Sequence, residues 1–243
     1  MNSKFSAKTL IFPSSCDRTG KLSIPAVFSL FMDVAATHAE RIGCGADALA
    51  EKDIFWITTK TKVLLHRMPS MMEEVTVETW PEKPGRIRCN RYYLLKKGDE
   101  ILAEGVSEWA IINRTSGKLV APIGVYDESF EFLSDTVCDA SFEKIGEDFE
   151  DCRLIEDYTV RSTDIDLGRH MNNAAYVRAL FGAVSCDEIE RAAINEVQIV
   201  FKSQSFEGEK LTICGRKTDI GAELGILHAD GRVAAAVKFW QNY

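Results

Sequence analysis

The segment from Asp164 to Tyr176, DIDLGRHMNNAAY, gathers two aspartates, a histidine and two adjacent asparagines just ahead of an amphipathic run. Asp166 and His170 stand four residues apart, in what reads as a turn entering a helix. A carboxylate with an imidazole nearby can activate water or attack a carbonyl. The start of the following helix offers backbone N–H groups and positive potential, suited to an oxyanion or a polarised carbonyl. Asn172 and Asn173 can cap that helix and orient ligand oxygens, and Gly168 lets the backbone bend between the acid and the histidine. Together these parts suit hydrolysis of an activated acyl group. The same residues also fit a plain helix cap and a structural Asp–His hydrogen bond.

Two long helices and two sets of strands are needed to position that segment. Ser23 to Gly43 reads as a helix, with Ser23 as N-cap, Pro25 in the first turn and Gly43 as terminator. Val27, Leu30, Phe31, Val34 and His38 share one face at helical spacing. Strand patterns follow at Trp56–His66, Val75–Trp80, Arg86–Lys96 and Ile101–Asn113. The pattern then starts again. Tyr158–Thr163 is strand-like, Asn173–Ser185 is helical, and Glu196–Lys202, Lys210–Arg216, Glu223–Ala229 and Arg232–Trp240 are strands.

The two halves superimpose. KVLLHRMPSMMEEVTVETW from Lys62 lies over QIVFKSQSFEGEKLTICGR from Gln198 without a gap, and GDEILAEGVSEW from Gly98 lies over ADGRVAAAVKFW from Ala229. One β-helix-β-β-β-β unit is therefore used twice. Such a unit wraps a curved antiparallel sheet around one long helix, and a pair of them covers open sheet edges. The expected fold is α+β, a tandem (double) hot dog with two antiparallel sheets each wrapped around a long central helix. Residues 1–120 form the N-terminal domain, 121–155 an acidic connector and 156–243 the C-terminal domain. Residues 121–157 hold twelve acids against two basic residues, with no helical or strand period, which favours a solvated connector.

In this superposition the polar cluster belongs to one half. DIDLGRHMNNAAY stands where the first half has CDRTGKLSIPAVF; His170 is read opposite Gly20 or Lys21, the asparagines near Ser23, and Gln204 opposite Met68. A cluster needed merely to fold the unit should occur in both copies, so its restriction to one points to a single working site.

Bulk properties exclude several functions. A net charge of −8 and a pI near 5.2 make nucleic acid a poor default partner. No apolar run is long enough to span a bilayer, and the first twenty residues lack a signal-peptide core. Seven scattered cysteines without a C-x-x-C pair argue for free thiols in a reducing cytosol, and four histidines far apart argue against a metal site. His38 sits on an apolar helix face and reads as a hydrogen-bonded core residue.

Nearly the whole chain resembles the acyl-acyl-carrier-protein thioesterases, in particular bacterial relatives of the plant plastid enzymes. The resemblance is carried by DRTGKLSIPAVFSLFMDVAATHAERIG from Asp17, FWITTKTKVLLHRMPSMMEEVTVETWP from Phe55, SEWAIINRTSGKLVAPI from Ser107 and DIDLGRHMNNAAYV from Asp164. The last is similar to the family's D-x-D-x-N-x-H-x-N-N-x-x-Y motif. The resemblance implies release of a free fatty acid from acyl-carrier protein by thioester hydrolysis, in a bacterial cytoplasm, without metal or organic cofactor. It places the catalytic Asp on Asp166 and the His on His170, with Asp166 activating water or attacking directly. It implies that the N-terminal half supplies most of the acyl pocket, for which Val27, Leu30, Phe31 and Val34 are the candidate walls. The family's Asn between Asp and His is Gly168 here. Its further acid falls on Gln204, which can orient water but cannot act as a base. The Cys beside that acid in plant members falls on Ser205.

An acidic carrier protein needs a local basic patch on this acidic chain. Arg161, Arg169 and Arg178 bracket the site and are the candidate docking residues. The chain is expected to be a monomer or homodimer. One rival function, a hot-dog dehydratase, would need an H-F-P-x-x-P-x-x-P-G run that is absent. The alternative that Gly168 and Gln204 keep open is a non-catalytic or weakly active acyl-thioester binding protein.

Overall fold

The computed structural model describes residues 3–146 and 148–241, so Glu147 of the acidic run and the two residues at each end lie outside the described part. The chain divides into two compact units, one ending at Ser141 and the other beginning at Phe142. The first holds β1 (Phe5–Leu10), α1 (Ile24–Arg41), α2 (Ala46–Ala50), β2 (Ile54–Leu65), β3 (Glu74–Pro81), β4 (Arg88–Lys97), β5 (Glu100–Asn113) and the short β6 (Leu119–Val120). Its strands pair antiparallel in the order β1-β3-β4-β5-β2, with β6 on β5. The second holds β7 (Arg153–Thr159), α3 (Asn173–Gly182), α4 (Cys186–Ala192), β8 (Ile194–Phe201), β9 (Lys210–Thr218), β10 (Gly221–Leu227) and β11 (Val233–Gln241). Its antiparallel order, β7-β9-β10-β11-β8, repeats the first unit strand for strand. The doubled hot dog read from the sequence is the fold observed, and β2 and β8 end at Leu65 and Phe201 in the register that the gap-free superposition gives.

In each unit a helix lies on the sheet because its apolar stripe has no other cover. The Ser23 hydroxyl accepts from Ala26 N to cap α1, and Gly43, at φ 74°, ends the helical path. Phe31 lies over β5 at Gly105, where a Cβ would come within 2.6 Å of the ring, and it stacks on Tyr93 at 4.7 Å between centroids. Glycine is needed there for close approach. Val27, Phe31, Val34 and His38 are buried as the spacing predicts, Phe28 and Ala35 widen the stripe, and Leu30 is half-buried. Within the described residues no helix is long and apolar enough to cross a membrane.

Three local expectations shift. β7 starts at Arg153, earlier than the expected strand, and ends at Thr159, where a 3-10 turn over Ser162–Asp164 takes over the predicted end. The second helix stops at Gly182, since Ser185 caps a new helix in a capping box with Glu188. The acidic connector is pinned at intervals. Val125 and Phe130 are buried in a cluster with Ile42, Leu49, Ile54 and Ile111, while Ile145 and Phe149 are buried with Val200, Cys214 and Ala236. Trp80 Nε1 donates to Asp135 O at 2.8 Å, and Gln198 Nε2 donates to Glu143 O at 2.7 Å.

Candidate active site

Asp166 opens a tight turn closed by two backbone bonds, Asp166 N to His170 O at 3.0 Å and Arg169 N to Asp166 O at 2.9 Å. The carboxylate braces that turn, with Oδ1 accepting from Gly168 N at 2.7 Å. His170 folds back over it and brings Nδ1 to 3.7 Å from the same Oδ1. That is ion-pair range and longer than a hydrogen bond. The side chains are 35% and 20% exposed, so both meet solvent and each other. Among the described residues no bond engages Asp166 Oδ2.

Gly168 is required by this approach. A Cβ at 168 would sit 2.6 Å from His170 Nε2 and 3.0 Å from Asp166 Oδ1. The imidazole occupies the space that a side chain at 168 would fill. Arg169, at φ 62°, takes the left-handed conformation that a non-glycine residue adopts only at a cost.

The two asparagines separate in role. Asn172 is the N-cap of α3, its Oδ1 accepting from Ala175 N at 2.7 Å, while its own N–H donates to Asp164 O. Asn173, half-buried at the first helical position, has a side-chain amide with no partner among the described residues. The N–H groups of Asn173 and Ala174 are likewise unengaged, as the first turn of any helix leaves them. Asp164 is a scaffold: buried, it accepts from Tyr158 OH at 2.7 Å and from Arg161 N at 2.9 Å. Burial, and then this bond to Asp164, push the Tyr158 hydroxyl up to about 12.

The loop after β8 closes onto the turn, with Met171 N donating to Ser205 O at 2.8 Å. Gln204, beside that contact, is exposed, and Ser205 is fully buried. A clamp that the sequence reading left without a role holds this loop. His228 Nδ1 lies 2.5 Å from Glu209 Oε1, its Nε2 lies 2.8 Å from Ser203 Oγ, and Glu209 Oε2 accepts from Phe206 N. The signal for it was the repeat itself, because Glu209 stands opposite Glu73.

Arg161, Arg169 and Arg178 are exposed and form no ion pair among the described residues. Arg161 and Arg178 both act electrostatically on Tyr158, which puts their charges near the Asp164 scaffold. Of the acyl-pocket candidates, Val27, Phe31 and Val34 are core residues and Leu30 is half-buried. A cavity in the first unit, of about 200 Å³, is lined instead by Ala35, Ala36, Ala39 and Glu40 of α1, by Gly45, Ala46 and Leu49, and by Phe55, Trp56, Cys89, Arg91, Trp109 and Tyr126.

Comparison with known proteins adds to this geometry. The model of the acyl-ACP thioesterase N-terminal domain matches residues 2–130, and that of the C-terminal domain matches residues 148–241. The oleoyl-acyl carrier protein thioesterase of Coriandrum sativum is 24% identical over 172 residues, covering 64% of this chain and 47% of that protein. Oleoyl-acyl carrier protein thioesterase 2 of Arabidopsis thaliana is 22% identical over 199 residues, covering 75% and 54%. The chain thus spans about half the length of the curated relatives it matches. The fold is shared with an acyl-ACP thioesterase from Bacteroides thetaiotaomicron, with a TM-score of 0.87 at 18% identity over 99% of this chain and 98% of that one. It is shared too with the 12:0-ACP thioesterase of Umbellularia californica, with a TM-score of 0.82 at 19% identity over 100% and 98%.

Proposed function

The chain belongs to the acyl-ACP thioesterase family, and from that premise we propose that it hydrolyses the thioester of an acyl chain carried on acyl-carrier protein, releasing the free fatty acid. The observation that carries this reading is the approach of His170 to Asp166 across Gly168, at the start of a helix with unengaged N–H groups. Asp166 Oδ2 takes a proton from water, and the hydroxide attacks the thioester carbonyl. The oxyanion is met by Asn173 N–H and Ala174 N–H, oriented by the capped start of α3, and by the Asn173 side-chain amide. Collapse breaks the C–S bond, and the proton held by Asp166 passes to the departing thiolate with His170 as relay. Gln204 orients the water without taking its proton.

Carrier docking on Arg161, Arg169 and Arg178 fits the same reading, because the exposed cations meet an acidic partner beside the site. Charge reversal of Arg169 and Arg178 together is expected to raise KM for the acyl-carrier substrate and leave KM for a small acyl thioester unchanged. Equal KM for the carrier substrate would remove the docking assignment.

The test of the activity is thiol release from carrier protein loaded with C8 to C18 chains, wild type beside Asp166→Asn. Release by the wild type, lost in the variant by about 10³-fold, is the expected result. No release from any chain favours the second reading, a protein that binds acyl thioesters without turnover. The observation behind that reading is Gln204, an amide where the family carries an acid.

A further inference from the structure

Arg91 is 5% exposed and lines the cavity of the first unit. Its Nη1 donates to His38 Nδ1 at 3.1 Å and to Thr79 Oγ1 at 3.3 Å. Both acceptors are neutral, since an imidazole nitrogen that accepts a hydrogen bond carries no proton. Among the described residues no carboxylate pairs with this guanidinium. The one acid on the cavity wall, Glu40, is engaged elsewhere, its Oε1 accepting from Ala46 N at 2.6 Å. A buried cation without a counter-charge is costly, and guanidinium is matched best by a carboxylate that takes two N–H groups at once.

Most of the remaining wall is aromatic and aliphatic. Trp56 and Trp109 meet edge to face at 6.4 Å, and Ala35 and Ala39 line the helix side. Burial pushes the Cys89 thiol up to about 11 and raises the Tyr126 hydroxyl well above its ordinary range, which marks a poorly solvated lining. Ala36, Glu40 and Ala46 are the exposed members, so the opening lies on their side and Arg91 lies at depth.

We infer that this cavity binds an alkyl carboxylate, with the hydrocarbon against the Trp56–Trp109 wall and the carboxylate on Arg91. The site stands on the first unit alone and does not depend on the hydrolase reading. The ligand class is an aliphatic chain ending in CO₂⁻. It can arrive as a free fatty acid or as the far end of a chain whose other end is a thioester.

The probes are octanoate, octanol and octylamine, titrated against the full chain while tryptophan emission is followed. Octanoate is expected to saturate at least tenfold more tightly than octanol, and octylamine is expected to be weaker still. Arg91→Met is expected to bring octanoate and octanol within twofold, and Ala36→Phe at the mouth to weaken both. Should Arg91→Met fail to fold, the three head groups on wild type decide alone. Equal affinity for octanoate and octanol, or no saturable response to octanoate, would overturn the site. The two sources are separated on the Asp166→Asn protein with the mono-N-acetylcysteamine thioester of a C8 dicarboxylic acid. Binding as tight as octanoate assigns the carboxylate to a carried chain, and binding more than tenfold weaker assigns it to the free acid.

Discussion

The turn entering α1 and the turn entering α3 are copies of one another. Cys16 bridges Leu22 as Ile165 bridges Met171, and Ser23 N donates to Ser15 O as Asn172 N donates to Asp164 O. This register sets Asp17 opposite Asp166, Thr19 opposite Gly168, Gly20 opposite Arg169 and Lys21 opposite His170. Asp17 Oδ1 accepts from Thr19 N at 2.8 Å, the counterpart of the bond from Gly168 N to Asp166. An aspartate here is therefore part of building the turn and occurs in both copies. What distinguishes the second copy is an imidazole in place of a lysine, a glycine that admits it, and an arginine held where its twin has glycine. The loops packed on the two turns differ in the same sense. Glu73 is bound by Arg67 and Lys97, whereas Glu209 is bound by the imidazole of His228.

The sharpest break of this comparison is to neutralise each aspartate. Asp166→Asn is expected to lower kcat by about 10³-fold, while Asp17→Asn leaves kcat within about twofold and lowers stability by about 1 kcal/mol, read by denaturant titration. Filling the glycine comes next. Gly168→Ala pushes against His170, with an expected loss of about 10²-fold in kcat and the same melting temperature within a few degrees. Arg169→Gly copies the first turn into the second. It is expected to raise stability by about 1 kcal/mol by relieving the left-handed backbone, and to raise KM for the carrier substrate.

The smallest effect lies in acid stability. The Arg67 guanidinium holds the Glu73 carboxyl down to about 2 in the folded protein. A depressed carboxylate stabilises the fold above its unfolded value, and that contribution is lost as pH falls toward 2. Glu73→Gln should flatten the pH dependence of stability between about pH 4.5 and 2 without changing kcat. Glu209→Gln, which loosens the loop bonded to Met171, should lower kcat by about tenfold even at neutral pH.

The repeat was legible because strand pairing fixes it: β3 and β9 begin at Glu74 and Lys210, in the register of the gap-free superposition. The strings of the two turns were set one residue out, with Cys16 over Asp164, because short polar segments carry few apolar markers, although Lys21, one of the two counterparts read for His170, is the one observed. That shift hid Asp17 as the twin of Asp166 and made the whole cluster look confined to one half. Gly168 read as a missing amide, and its need was visible only once the imidazole stood over it. Arg91 sits in step with Cys89, Tyr93 and Leu95 along β4, so its inward parity was in the sequence, although a charged residue in that row was not weighed. The connector misled because its acids outnumber its anchors. Val125, Phe130, Ile145 and Phe149 are spaced too irregularly to register as an element.

Those anchors decide where the gene can be cut. The strap before Ser141 belongs to the first unit's core and the strap after Phe142 to the second's. A fragment ending at residue 120 would lose Val125 and Phe130 and leave Ile42, Ile54 and Ile111 facing water, a surface prone to precipitation in the test tube. A split between Ser141 and Phe142 leaves each half with its own apolar flap. That junction is the place to insert a protease site, a reporter or a circular-permutation break.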